Sequence, residues 1–359
     1  MKIIVTAGGQ GTKLWPYSRQ DKPKQFQPII GQTSSYAETI RTLLTAFAPE
    51  DIYISTKRKF IKYVSEQSPQ IPLCNYIVEP DVAKDRGPAE GLAFLRLSVL
   101  HPDEPFFVVQ ADCVRRPEAA FLQMIKDAEK LVVRDKKFIS GGIKATEPNL
   151  GVDYLQLGEK IHAGSKQEVY EVTEFLGRKS SYRETKQLNE NFHIVMHCNH
   201  SCWYPDLMLD AYKQYRPDWY KALMRMRDAF DKPGEDTEIE KIYAGMEKGA
   251  TEEVTKHIMK DGYIILVPYK WTDIGTWGSV YDFCVGEGEN CADGRAVTIH
   301  ASGSLIKSSN PDKLIALAGV EDMVVIDTED VLLVIPRNKM EQIKDIQKVL
   351  ADDASTRYL

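Results

Sequence analysis

The chain has 359 residues, of which 43% are hydrophobic and 27% charged, the make-up of an ordinary globular protein long enough for two or three domains. With 46 Lys and Arg against 52 Asp and Glu, its net charge of −6 argues against a general nucleic-acid binder, whose domain would be strongly basic. No run approaches the roughly 18 apolar residues that span a bilayer, so no membrane partner is expected. The amino terminus enters a strand without signal-peptide architecture, and the six cysteines are scattered. They read as reduced thiols, which predicts a cytoplasmic protein.

Lys2 to Thr6 is a short β-branched run that predicts a buried strand. It breaks into Gly8-Gly9-Gln10-Gly11-Thr12, where glycines let the backbone turn sharply and approach a ligand closely. Lys13, Arg19, Lys22 and Lys24 follow. Backbone N–H groups in such a turn form an anion-binding concavity and the side chains add full charges, so the stretch suggests a phosphate site. Its other reading is a plain glycine turn beside a solvated basic face. It is neither G-x-x-x-x-G-K-[ST] nor G-x-G-x-x-G with an acidic residue about 20 positions on.

Beyond this turn, helical and strand patterns alternate. Helices are predicted over Ser35 to Ala46, Lys59 to Gln67, Gly87 to Leu100 and Glu118 to Val132. Strands are predicted over Ile52 to Ser55, Tyr76 to Val78, Phe106 to Gln110 and Phe138 to Ile143. The alternation predicts an α/β fold with a mixed, mainly parallel sheet, whose ligands bind at the carboxyl ends of strands. One such end leads to Glu79-Pro80 and then to Arg86-Gly87-Pro88, where a helix start leaves N–H groups open. Another ends on Asp112, which suits Mg2+ because that ion takes one or two carboxylates and completes its shell with phosphates. Asp112 taken alone suits a turn or helix cap better than a metal.

Phe192 to Trp203 crowds His193, His197, His200, Cys198 and Cys202 together. The spacing is not that of a structural zinc site, and Ile194-Val195-Met196 reads as a strand, so strand and turn are expected. Asp206 to Ala229 is amphipathic with a break at Pro217, and Thr237 to Met246 is helical. Tyr263 to Val267 reads as a strand ahead of Lys270-Trp271-Thr272-Asp273-Ile274-Gly275-Thr276-Trp277. Gly286 to Gly294 reads as a connector, dividing a catalytic domain over 1–285 from a small β domain over 286–359. Short strands over Ala296 to Ile335 suit a truncated left-handed β-helix, closed by a helix over Lys339 to Leu350.

G-G-Q-G-T-K-L-W-P-Y-S-R-x-x-K-P-K-Q-F, with the octet over 270–277, resembles the signatures of the sugar-phosphate nucleotidylyltransferases, most closely the mannose-1-phosphate guanylyltransferases. The resemblance runs through nearly the whole chain and implies a Rossmann-like nucleotidyltransferase domain. It implies GTP and a sugar 1-phosphate as substrates and Mg2+ as cofactor; a homodimer is one assembly left open. By the same resemblance Asp112 and Asp273 bind the metal, and Lys13, Arg19 and Lys24 stabilise phosphate charge. Ala7, Gly8, Gly9, Gly11, Thr12, Glu79, Pro80, Arg86 and Gly87 would hold the nucleotide. Gly151, Tyr154, Glu174, Asn199 and one of Arg178 and Lys179 would hold the sugar phosphate; counting from Phe175 selects Arg178, and a one-residue insertion selects Lys179.

The chain departs from the family at Lys13 (usually arginine), Arg86-Gly87 (within a usual Thr-Ala-Pro-Ala), Cys113 (usually histidine), Gly177-Arg178 (within a usual Glu-Lys-Pro) and His197-Cys198 (within a usual Trp-Asn-Ser-Gly). Two other readings therefore stay open: a nucleotidylyltransferase for another hexose or heptose phosphate, and a non-catalytic ligand sensor.

Overall fold

The computed structural model describes residues 1–9, 11–144, 149–162, 164, 167–191, 193–285, 289–353 and 355–359. The chain forms two compact units that interleave in sequence. One contains Met1–Gly8, Thr42–Gln110 and Arg115–Lys270; the other contains Gly9–Arg41, Ala111–Val114 and Trp271–Leu359. The connector expected at Gly286 falls partly on residues outside those described.

The first unit is built on a ten-stranded mixed sheet. Lys2–Thr6 lies at the centre of its parallel part, paired with Ile52–Lys57 on one side and Phe106–Gln110 on the other, and Tyr76–Glu79 extends the sheet beyond Ile52–Lys57. All five residues of Phe106–Gln110 are buried, as befits a β-branched and aromatic strand covered on both faces. The rest is largely antiparallel: Tyr154–Ile161 lies between Val169–Gly177 and Ile194–His197, and Ile139–Ile143 pairs in parallel with Tyr263–Leu266. The core includes Phe94, Phe106, Tyr212, Trp219 and Tyr243, contributed by strands and by helices that include Arg86–Leu100, Pro205–Tyr215 and Pro217–Arg227. The helical stretch from 205 to 227 divides at Pro217, whose missing N–H starts the second helix cleanly.

Three helices have no counterpart in the sequence reading: Trp277–Cys284, which starts on the last residue of the octet over 270–277, and two others. Tyr182–Asn189 is almost entirely polar, so it lacks an apolar period; a capping box between Ser181 and Glu184 starts it. Glu252–Ile258 is too short for its period to stand out.

The second unit carries the glycine turn, Asp112, Asp273 and the C-terminal strands. Cys291–Asp293, Leu305–Ser308 and Met323–Asp327 stack in parallel register, as do Arg295–Ile299 and Leu314–Ala318. Short parallel strands repeating every turn of the chain make a β-helix-like domain, closed by antiparallel Leu332–Pro336. The closing helix begins later than expected, at Ile343, because Arg337–Gln342 is wound as a tighter 3-10 helix.

Candidate active site

Within the second unit, the glycine turn is fixed by side chains from the stretch just after it. Gln25, itself buried, donates to Gly9 C=O at 2.9 Å, and Ser18 donates to Gly11 C=O. Gly11 sits at φ 64°, and a Cβ there would come within 2.7 Å of Lys24 Cβ and Cδ. Only glycine suits both the left-handed backbone and the path of that stem. The turn therefore sets the course of Lys24, whose Nζ lies 2.8 Å from Asp112 Oδ2, 3.4 Å from Asp273 Oδ1 and 3.0 Å from Ile274 C=O. Ile274 N–H in turn bonds Asp112 C=O at 3.1 Å, so the two aspartate segments run alongside each other.

Burial works against the Lys24 charge, but Asp112 and Asp273 outweigh it and hold the ammonium charged. Desolvation and the Asp112 charge push the Asp273 carboxyl up, opposed by Lys24 and by Lys13. Lys13 and Thr12 are exposed at the turn. Cys113 is buried and donates to Asp112 Oδ1 at 3.7 Å.

Trp15 and Trp277 of the two signatures are structural. Trp277 is fully buried and its indole donates to Trp15 C=O at 3.0 Å, while Trp15 donates to Tyr358 C=O at 2.6 Å. With Leu14, Ile274 and Val114 they form an apolar cluster under the turn and the aspartates. Thr276 caps the helix Trp277–Cys284 in a capping box with Ser279, which fixes the direction in which the chain leaves Asp273.

Arg19 does not join the Lys24 group. Its guanidinium forms a fork with Asp330 at 2.5 and 2.8 Å, and its Nε donates to Pro16 C=O at 3.1 Å. Its hydrogen bond to Asp330 holds that carboxyl down to about 2. The Arg19 fork is thus matched to a carboxylate, whereas Lys24 reaches the aspartate pair.

In the first unit, Ala7 is buried and its backbone is held by Ser55 and Thr56. A Cβ on Gly8 would fall on Glu79 Oε1, so glycine here makes room for that carboxylate. Glu79 is 5% exposed, beside buried Pro80, and accepts from the Tyr243 hydroxyl at 2.9 Å. Burial pushes its carboxyl up to about 7 despite Lys57. The unfolded chain releases this proton near 4.5 and the folded chain near 7, so the folded state holds an extra proton between them. That stabilising contribution is complete below about pH 4.5 and is lost as pH rises through 7. Glu79→Gln, which keeps the neutral shape, should flatten the pH dependence of the urea midpoint and gain roughly 2 kcal/mol over wild type at pH 8. Parallel pH profiles for the two proteins would refute the assignment.

Gly87 is not one of the open donors expected at its helix start. Its N–H is bonded to Gly249 C=O at 2.9 Å, its C=O accepts from Tyr212, and a Cβ would run into the Trp219 ring and Gly249 C=O. Its small size serves packing. Arg86 points elsewhere too: its guanidinium lies 2.9 Å from Glu90 Oε1 and 3.0 Å from Glu252 Oε1.

The residues expected to hold the sugar phosphate separate into two sets. Tyr154 is fully buried with its hydroxyl exchanging hydrogen bonds with the Asn149 backbone, so it is core. Gly151 donates to Asn149 Oδ1, and Glu174 is exposed on its strand with no hydrogen bond or ion pair among the described residues. Lys179 donates to Leu176 C=O at 2.8 Å, whereas Arg178 Nε lies 3.7 Å from Asp153 Oδ2. Asn199 takes φ 56° and its C=O accepts from Gln110. Thr146 and Pro148 lie outside the described residues. His200 bonds Val108 C=O and Tyr269 OH through its two ring nitrogens, a core histidine. His197 instead meets Asp153 and Glu252, one ligand atom of each lying within 4.8 Å of the others.

Residues 2–173 match the nucleotidyl transferase family model, and residues 294–350 match the MannoseP isomerase/GMP-like beta-helix domain. Residues 2–173 thus carry the pattern of the nucleotidyl transferase family. Over 99% of its length and 75% of the relative's, it is 27% identical to a mannose-1-phosphate guanylyltransferase of Escherichia coli, and 26% identical to one of Klebsiella pneumoniae over the same shares. Its fold matches the solved structure of a mannose-1-phosphate geranyltransferase from Thermus thermophilus, with TM-score 0.85 and 22% identity over 98% of this chain and 99% of that one.

The Asp112–Asp273 pair is a donor set that fits a hard divalent cation: two carboxylates with ligand atoms within 4.8 Å, already drawing a cation in Lys24. The Cys113 thiol is too soft a ligand for Mg2+, and it serves Asp112 by hydrogen bonding. The sequence reading missed Asp153, His197 and Glu252 as a group. His197 stands at a family departure, which was the available signal.

Proposed function

We propose that this nucleotidyl transferase moves GMP from GTP to mannose 1-phosphate, giving GDP-mannose and pyrophosphate, in the cytoplasm and with Mg2+. The observation that carries the reading is Lys24 held between Asp112 and Asp273 by the glycine turn. The names of the E. coli and K. pneumoniae relatives support the substrates. We also retain a division into a catalytic part over 1–285 and a small β domain over 286–359.

A sugar-phosphate oxygen attacks the α-phosphorus of GTP in line, the bond to the β-phosphate oxygen breaks, and pyrophosphate leaves. Bound Mg2+ supplies neutralisation of phosphate charge. Asp112 and Asp273 hold it, and Lys24 keeps their negative charges together and offers its own positive charge to the transferring group. Backbone N–H groups of the Gly9–Thr12 turn receive the triphosphate, with Lys13 alongside. Since arginine offers a planar fork that lysine lacks, Lys13→Arg should raise kcat/KM for GTP by about 3–10-fold. An unchanged or lower value would count against a phosphate role for Lys13. Pyrophosphate release across a panel of nucleotides and sugar 1-phosphates tests the whole reading, and indifference to GTP would overturn the base assignment.

A further inference from the structure

We infer that Asp153, His197 and Glu252 form an acceptor-rich cluster that recognises two neighbouring hydroxyls of the sugar, making His197 a specificity determinant. This rests on the sugar 1-phosphate reading above.

The argument starts from one proton. Ser140 Oγ donates its only hydrogen to His200 C=O, because a carbonyl can only accept. Toward His197 Nε2, 2.7 Å away, Ser140 must therefore accept, and Nε2 carries the ring proton. His197 is 3% exposed, and burial keeps its imidazole neutral. Nδ1 is then a bare lone pair, buried and without a hydrogen-bond partner. The two carboxylates beside the ring are also acceptors, their side chains only 10% and 13% exposed.

A buried lone pair at His197 Nδ1, beside two carboxylates with acceptor capacity beyond their arginine partners, suits a ligand that brings more than one donor. A divalent cation is the other chemistry such a set could take. Here Arg86 lies 3.0 Å from Glu252 and Arg178 lies 3.7 Å from Asp153, so a cation would meet two guanidinium charges at close range. Neutral hydroxyls meet no such repulsion, and each can give its hydrogen to one of the three acceptors. Arg178 also offers a cation beside the same cluster for the phosphate. The surroundings differ from those of a plain core histidine such as His200, both of whose nitrogens are satisfied within the protein.

The test measures binding of mannose 1-phosphate and its 2-, 3- and 4-deoxy analogues to the full chain by calorimetry, with GTP binding as a separate readout. Wild type should lose about 10–100-fold in affinity for two adjacent deoxy analogues. His197→Leu should bind the parent sugar phosphate about tenfold more weakly and lose that discrimination, with GTP affinity unchanged. Glu252→Gln, at a partly exposed position, should lower discrimination in the same direction and guards against a folding defect in the histidine variant. Equal affinity of wild type for all analogues, or full discrimination retained by both variants, would overturn the inference. So would Mn2+ binding to wild type with one equivalent abolished by His197→Leu, which would make the cluster a metal site. A wild type that binds GTP but no sugar 1-phosphate would overturn the proposed function and, with it, this inference.

Discussion

Asp273→Asn should slow pyrophosphate release by about a hundredfold or more while leaving the fold intact. The side chain is 54% exposed and stands 3.4 Å from Lys24, so the amide fits the same space without a cavity. What changes is charge. With both carboxylates ionised the site offers two hard oxygen ligands of full charge, and asparagine removes one of them. Lys24 would then balance Asp112 alone at 2.8 Å, leaving little net attraction for a divalent ion. Raising Mg2+ should recover part of the rate, as expected when metal affinity rather than fold is lost. Asp112→Asn should behave alike, and the double variant should cost less than the sum of the two because both act through one ion. A rate within about threefold of wild type at low Mg2+ would remove Asp273 from the metal site.

Gly11→Ala should both destabilise the chain and impair transfer, whereas Gly9→Ala should do little to stability. Alanine at φ 64° costs about 1–2 kcal/mol in backbone strain. The added Cβ would also press on the Lys24 stem, within 2.7 Å of its Cβ and Cδ. Lys24 would have to move away from the aspartates, so a drop of about tenfold or more in kcat is expected beyond the loss of stability. Gly9 has no atom within 4 Å of such a Cβ, and its φ does not lie in the left-handed range. Thermal midpoints and single-turnover rates for the two variants separate the effects. Equal behaviour of the two would show that Gly11 does not set the course of Lys24.

Much of the fold is legible because its causes are local. Lys2–Thr6, Phe106–Gln110 and Met323–Asp327 are strands where β-branched and apolar runs say so, and the helix break at Pro217 follows from one missing N–H. The polar helix Tyr182–Asn189 was not, since its capping box is local but its face carries no apolar period.

The same division holds for the site. The sequence by itself determined the glycine turn, because backbone freedom defines it, and its resemblance to the family signatures marked the tryptophans and the two aspartates. Tertiary structure decided how each polar side chain is used. Arg19 is engaged by Asp330, 311 positions away, Arg86 by Glu252, 166 positions away, and the Tyr154 hydroxyl by Asn149. The free nitrogen of His197 follows from a hydrogen that Ser140 gives to His200. A hydrogen-bonding group has few bonds to give, and which partner claims them depends on distances that only the folded chain establishes.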